Sequence, residues 1–197
     1  MSIESKRKVG TAGIGVHRGA SLAGLAVLLF GLIGGAPAHG QSLRNALKPF
    51  TGHWTGPFVA YTSAGERVDS LTAEHRYRWE GDVQVGTQVD RYPDGRVLRH
   101  TARNVVRNDT LFCEVTHADG TTTVYRGRVV GEAIVWHRRT DAGLVESFRE
   151  RVVQTPDGRA YRIDGFGVYP NDDGSVSHLL FVGRYRPVHQ DSSNGRE

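Results

Sequence analysis

Apolar and polar residues alternate along much of the chain after residue 50. The clearest case is residues 71–80, where Leu71, Ala73, His75, Tyr77 and Trp79 fall on one face and polar or charged residues lie between them. Side chains of a β-strand point alternately to opposite faces, so a period of two predicts a strand with one face turned inward. Weaker alternation of the same kind predicts further strands on both sides of this one.

Nine turn sequences divide the chain after residue 52 into about ten strands. They are rich in Gly, Asp, Asn and Pro, which tolerate or favour the backbone geometry of tight hairpins. The turns lie at residues 63–65, 81–82, 93–95, 108–109, 119–120, 131–132, 141–143, 156–158 and 171–174. No long segment of helical period separates the strands, and this excludes parallel βαβ units.

Ten hairpin-linked strands with one apolar face each must hide that face. Closure into a barrel also removes exposed sheet edges, and hairpins throughout favour an up-and-down strand order. The sequence therefore predicts an all-β fold, a single closed antiparallel up-and-down barrel of about ten strands, with a two-sheet sandwich as the alternative. The last strand, residues 176–188, is apolar on both sides and is expected to be covered on both faces.

A short helix is predicted ahead of the barrel, over residues 41–48. Leu43 and Leu47 are four residues apart, Ser42 can cap the helix, and Pro49 ends it. The predicted organisation is a signal peptide over 1–38, a lead-in with this helix over 39–49, a barrel over 50–188 and a disordered tail over 189–197.

Residues 1–38 have the pattern of a signal peptide. Basic residues precede an apolar run from Leu22 to Ile33, and Ala36-Pro37-Ala38 supplies the small residues that signal peptidase reads. The run is shorter than the about 20 apolar residues that span a bilayer, so cleavage after Ala38 is expected rather than a stable membrane anchor. The predicted location is periplasmic or extracellular.

The net charge and the cysteine content limit which binding partners and which disulfides are expected. The chain has a net charge of +4, but most of this excess lies in the leader, so a nucleic-acid partner is not expected. Cys113 is the single cysteine, which excludes an internal disulfide. It lies on an apparent strand and is expected to be a buried, inert thiol.

The sequence Gly52-His53-Trp54 at the start of the first strand resembles the Gly-x-Trp signature of calycins, the group of lipocalins and fatty-acid-binding proteins. The resemblance implies that Gly52 and Trp54 close one end of the barrel. It also implies that an arginine of the last strand, Arg184 or Arg186, lies over the indole ring as a cation–π contact. The two arginines share a face, so either could make the contact.

Residues Gly52–Gly56 are also similar to the first strand of nitrobindins, which hold heme through a histidine near the C-terminus. His178 is the position that could match that histidine. The further glycines of the nitrobindin pattern are absent, because Pro57, Phe58 and Val59 follow Gly56. Heme is therefore an alternative cofactor, and the expected state is a protein without one.

A binding site for a small hydrophobic or amphiphilic molecule is predicted inside the barrel. His75, Tyr77 and Trp79 share the inward face of one strand, and Tyr125 and Trp136 lie on later strands. A polar tip among aromatic rings suits a ligand of mixed polarity.

No complete catalytic constellation is recognisable, and binding without catalysis is favoured. Glu146 and Glu150 flank Phe148 on one strand face, about 13 Å apart, which is too far for concerted acid–base work on one bond. His100 and His117 lie on separate strands without metal-ligand spacing, so no metal site is expected. A calycin-type isomerase or cyclase, and an envelope interaction module without a ligand, remain alternatives.

Overall fold

The structure, a computed structural model, describes residues 38–188. Helix α1 spans Ala38–Leu47 and a 3-10 helix follows at Lys48–Phe50. The ten strands are β1 (Gly52–Thr62), β2 (Arg67–Glu80), β3 (Val83–Arg91), β4 (Val97–Arg107), β5 (Thr110–Thr116), β6 (Thr122–Val130), β7 (Ala133–Arg139), β8 (Val145–Thr155), β9 (Gly158–Pro170) and β10 (Val176–Pro187). The predicted tail and the predicted signal peptide, apart from Ala38, lie outside the described residues.

The strands form one closed antiparallel barrel in sequence order. Each strand pairs with the next, and β1 pairs with β10, with Trp54 opposite Pro187 and Thr62 opposite Leu179. This closure confirms the predicted barrel and rules out the sandwich. It follows from ten strands with one inward face each, because pairing the first strand with the last satisfies both edges.

The turns divide the barrel into two unlike ends. Two-residue connections, such as Asn108-Asp109 with φ of 47° and 55°, join strands at the end where β1 begins. Positive φ at both central residues is the geometry of the tightest hairpins. The other connections are four or five residues long and lie together at the opposite end. We call these the tight end and the loop end.

Helix α1 and the 3-10 helix fill the tight end. Leu43, Leu47 and Phe50 are buried with Trp54, whose indole Nε1 donates a hydrogen bond of 2.8 Å to the Phe50 carbonyl. The helix begins at Ala38 rather than at residue 41, so Ser42 lies inside it and does not cap it. Among residues 38–188, no helix has the length and apolar character to cross a membrane.

The arginine over Trp54 is Arg159, from the start of β9. Its guanidinium carbon lies 5.3 Å from the centre of the indole ring. The same side chain donates a hydrogen bond to the Pro49 carbonyl, and so ties β9 to the lead-in. Arg159 is two residues from the inward-facing Tyr161 and therefore lies on the same face of β9. Because β9 begins at Gly158, this places Arg159 at the opening of the tight end.

The expectation that Arg184 or Arg186 covers Trp54 is wrong. Strand β10 turns Phe181 and Tyr185 inward, so both arginines point outward and are exposed. Arg184 instead pairs with Asp164 of β9 at 2.6 Å.

The outer face of β10 is also more open than its sequence predicts. Leu180 is 46% exposed, and its register partner Phe166 on β9 is 45% exposed. Strand β10 is therefore covered on its inner face only, and its apolar outer residues form part of the barrel surface.

Candidate functional site

The barrel encloses a cavity of about 470 Å3 between the filled tight end and the loop end. All ten strands contribute inward-facing residues to its wall. Most of the wall is aromatic or aliphatic. The charged residues of the wall are all acids, namely Asp69, Asp90, Glu146 and Glu150, and no Lys or Arg lines the cavity.

The structure brings four of the five predicted ligand residues together. His75, Tyr77, Tyr125 and Trp136 line the cavity. Trp79 does not, because it lies at the tight end, where its Nε1 donates to the Thr51 hydroxyl at 3.1 Å. Ligand contact by the four lining residues stays a prediction.

His75 lies at the deep end of the cavity, enclosed by three tyrosines. Its ring stacks on Tyr77 at 6.1 Å between centroids and meets Tyr161 and Tyr185 edge-on at 5.7 Å and 4.8 Å. The residue is 3% exposed, and neither ring nitrogen has a hydrogen-bond partner within residues 38–188. Burial lowers the pKa of His75 to about 4, so the imidazole is neutral near pH 7.

Glu150 of β8 faces the same deep part of the cavity. Burial raises its pKa to about 7, while polar hydrogens of Trp136 and Tyr161 partly oppose that rise. Its carboxylate forms no ion pair with any of residues 38–188. The Tyr161 hydroxyl beside it is buried without a hydrogen-bond partner of ordinary geometry in the same range. Buried polar groups of folded proteins are rarely left unpaired, so this cluster is a candidate for ligand contact.

Glu146, four residues closer to the loop end on the same face of β8, has the opposite environment. It accepts hydrogen bonds of 2.8 Å from the hydroxyls of Tyr125 and Tyr169, and Arg138 lies 3.3 Å from the carboxylate. Its charge is balanced and its oxygens are occupied. Glu146 therefore has a structural role that Glu150 does not share.

A second polar cluster lies nearer the loop end. Gln88 donates to both oxygens of Asp90, at 2.9 and 3.0 Å, and His100 Nε2 lies 3.4 Å from Asp90 Oδ2. The rings of His100 and His117 are 5.4 Å apart. Burial raises the pKa of Asp90, opposed by Gln88 and His100. Within residues 38–188, no group of three or more His, Cys, Asp or Glu is placed to hold a metal ion.

The sequence pattern did not indicate which face of β3 points inward. The face with Gln84, Gln88 and Asp90 lines the interior, and the valine face is outside. The reason is steric, because Gly86 lies opposite Tyr77, and a Cβ there would be 2.5 Å from the Tyr77 ring. Glycine at this position lets the ring lie flat against the wall.

Several cavity residues were not identified as ligand contacts from the sequence, including Glu150, Tyr161, Tyr185 and His100. Some of them can be identified by counting residues back from a hairpin turn, because inward and outward positions alternate along each strand. Counting back from the Asn108-Asp109 turn places Asn104 opposite Cys113, and the same register brings His100 next to His117. Cys113 lines the cavity, and burial raises the pKa of its thiol.

The heme alternative rested on His178, and the structure does not place that residue at the cavity. His178 is exposed on the outer face of β10, with the parity of Leu180 and Arg184. An imidazole on the outside of the wall cannot bind iron held inside the barrel. The histidines that do line the cavity are His75, His100 and His117.

No protein-family model and no curated protein matches this chain. Several solved structures are similar to it. The crystal structure of Rv2717c from M. tuberculosis matches with a TM-score of 0.47 and 17% identity, over 78% of this chain and 99% of that one. A redesigned β-barrel, b11L5F_LGL, matches with a TM-score of 0.37 and 13% identity, over 73% of this chain and 96% of that one. At these scores the likenesses carry no statement about ligand or activity.

Proposed function

We propose that this protein binds a small, partly apolar molecule inside the barrel, as lipocalin-like proteins do. The observation that carries the proposal is the cavity of about 470 Å3 with an aromatic wall and unpaired polar groups at its deep end. Cavities of about 300–1,000 Å3 with a few convergent polar groups are typical of small-molecule sites. A barrel that served only as a filled scaffold would have no reason to leave His75 unpaired.

The calycin relationship and export belong to the same proposal. Two features support it: Trp54 of the Gly-x-Trp sequence is buried at the tight end, and an arginine lies over its indole, although that arginine comes from β9. The signal-peptide pattern of residues 1–38 supports a binding protein of the periplasm or extracellular space.

Binding of a neutral fluorescent reporter, N-phenyl-1-naphthylamine, tests the proposal. We expect the emission of the reporter to rise on binding. A matched pair of variants distinguishes binding in the cavity from binding on the outer surface. Ala102→Phe fills the cavity and should weaken binding at least tenfold. Arg103→Phe adds the same ring to the outer face of the same strand and should change affinity less than twofold. Reporter binding that Ala102→Phe leaves intact would reject the cavity as the site.

A calycin-type isomerase is the second candidate, favoured by one observation. Glu150 has a pKa of about 7 and lies in a cluster with neutral His75, and a general base works best with a pKa near the operating pH. This candidate predicts exchange of ligand protons with solvent deuterium in the wild type and none in Glu150→Gln, measured by NMR on bound ligand.

A further inference from the structure

The charges of the cavity wall and the unpaired groups at its deep end indicate which class of ligand the barrel takes. On the basis of the binding function proposed above, we propose that the ligand carries a protonated amine, whose ammonium group lies against Glu150 at the deep end while its apolar body extends toward the loop end.

The first argument is the sign of the charges around the cavity. Four acids and no Lys or Arg line the wall. Glu146 is neutralised by Arg138, and Asp90 lies 3.4 Å from His100. Asp69 and Glu150 form no ion pair among residues 38–188, but Asp69 is exposed to solvent, which leaves Glu150 as the unpaired acid of the interior. An anionic ligand would be repelled by this wall and would find no cation to pair with. A cationic ligand supplies the missing charge, because an opposite charge within a few ångströms favours the ionised carboxylate.

The second argument is the aromatic surface around Glu150. Tyr77, Tyr161 and Tyr185 line the same cavity, and the nearby charge of Glu150 contributes to the raised pKa of each hydroxyl. Trp136 lies beside it and lines the cavity. An ammonium ion is attracted to the faces of such rings, and the attraction is stronger where water is excluded. A carboxylate would meet the same ring faces with the wrong sign.

The third argument is the hydrogen-bonding capacity left over at the deep end. His75 is 3% exposed, lines the cavity and has no partner at either nitrogen. As a neutral imidazole it offers one lone pair, and the oxygen of the Tyr161 hydroxyl offers another acceptor. With the Glu150 carboxylate, these groups can accept the donors of a primary ammonium group.

Affinity for such a ligand should depend on pH through Glu150. The carboxyl, with a pKa of about 7, must release its proton to pair with the ammonium, so binding tightens as pH rises. The facing groups stay neutral from pH 5.5 to 8, because burial lowers the pKa of His75 to about 4 and raises those of Tyr77, Cys113, Tyr161 and Tyr185. The other charged or titratable His, Asp and Glu residues of the wall lie nearer the loop end: the Asp90–His100 pair, His117, the exposed Asp69, and Glu146 with Arg138.

Three ligands with one scaffold test the inference by calorimetry on the folded protein. They are 4-phenylbutylamine, 4-phenylbutanol and 5-phenylpentanoate, which differ only in a cationic, neutral or anionic end. We expect the amine to bind at least tenfold more tightly than the alcohol at pH 7.5, and the carboxylate to bind most weakly. Glu150→Gln should weaken amine binding at least tenfold and alter alcohol binding less than twofold. Glu114→Gln, an acid on the outer face of β5, is the matched control and should change neither.

A measurement on the unmodified protein keeps the test independent of variant folding. The amine affinity should rise by up to about tenfold per pH unit below pH 7 and level off above it, while the alcohol affinity stays flat. An alcohol or carboxylate that binds as tightly as the amine would overturn the amine assignment and leave the cavity-binding function standing. Failure of all three ligands and of the fluorescent reporter would overturn both.

Discussion

The guanidinium carbon of Arg159 lies 5.3 Å from the centre of the Trp54 ring. This contact joins β9 to β1, two strands that are not neighbours in the barrel, across the tight end. Trp54 is 1% exposed, so the arginine and the 3-10 helix together exclude water from it. The contact holds the lead-in against the barrel, because Arg159 also donates to the Pro49 carbonyl.

Replacing Arg159 should therefore destabilise the fold more than replacing an arginine of the last strand. We expect Arg159→Ala to lower the free energy of unfolding by about 1–2 kcal/mol, through the lost cation–π contact and the lost hydrogen bond. Arg186→Ala, at an exposed position on the outer face of β10, should change it by less than about 0.5 kcal/mol. Urea unfolding followed by tryptophan fluorescence measures both. A larger loss of stability in Arg186→Ala than in Arg159→Ala would indicate that an arginine of the last strand, and not Arg159, stabilises the tight end.

The fold could be predicted from local signals because those signals agree along the whole chain. The period-two pattern of β2 and the Gly, Asp and Asn turns each have one physical meaning, and hairpins placed in succession leave few other topologies. The stacking arginine could not be predicted, because it depends on how far the strands are staggered around the barrel. The stagger is a property of the whole closed sheet, and the sequence of a single strand does not indicate it.

The cavity was harder to predict for a related reason. His75 and Tyr77 stood out because their strand alternates cleanly, but β3 presents its polar face to the interior. Hydrophobicity alone would turn its valines inward. The choice is made by Gly86 against the Tyr77 ring, a contact between two strands that only the register reveals. From the sequence, Glu150 stands out only by its spacing from Glu146, which is too long for a catalytic pair, whereas its importance lies in having no ion-pair partner among residues 38–188.

His75 should lower stability in the absence of a ligand. A buried imidazole with two unpaired nitrogens has lost its hydration without gaining hydrogen bonds, and this costs about 1–3 kcal/mol. We expect His75→Phe to raise the free energy of unfolding by about 1 kcal/mol, because phenylalanine keeps the ring contacts with the three tyrosines. Chemical denaturation without ligand is the measurement, with the exposed His137→Phe as control. A destabilised His75→Phe would indicate that the imidazole has a partner in solution.

Gly56 should tolerate no side chain. A Cβ at this position would lie 2.0 Å from the Arg184 carbonyl oxygen, at the seam where β1 pairs with β10. Backbone cannot move aside as a side chain can, so we expect Gly56→Ala to destabilise by about 3 kcal/mol. Gly40→Ala is the matched control, because its Cβ would find no atom closer than 3.7 Å and alanine favours helix α1. That variant should be neutral or stabilised in the same thermal melt. Equal melting temperatures for the two variants would contradict the close approach of β1 and β10.

Stability should fall as pH rises from about 4.5 to 7, on account of Glu150. The folded-state pKa of about 7 lies above the ordinary value of 4.5, so the folded protein holds the proton where the unfolded chain has released it. Across that window the difference amounts to about 3 kcal/mol against folding, complete above pH 7. His75 acts oppositely, because its lowered pKa destabilises the fold as pH falls below 6.5. Glu150→Gln removes only the first effect. The variant should therefore match the wild type in unfolding free energy at pH 4.5 and exceed it at pH 8, and equal stabilities at pH 8 would show that Glu150 is paired or solvated.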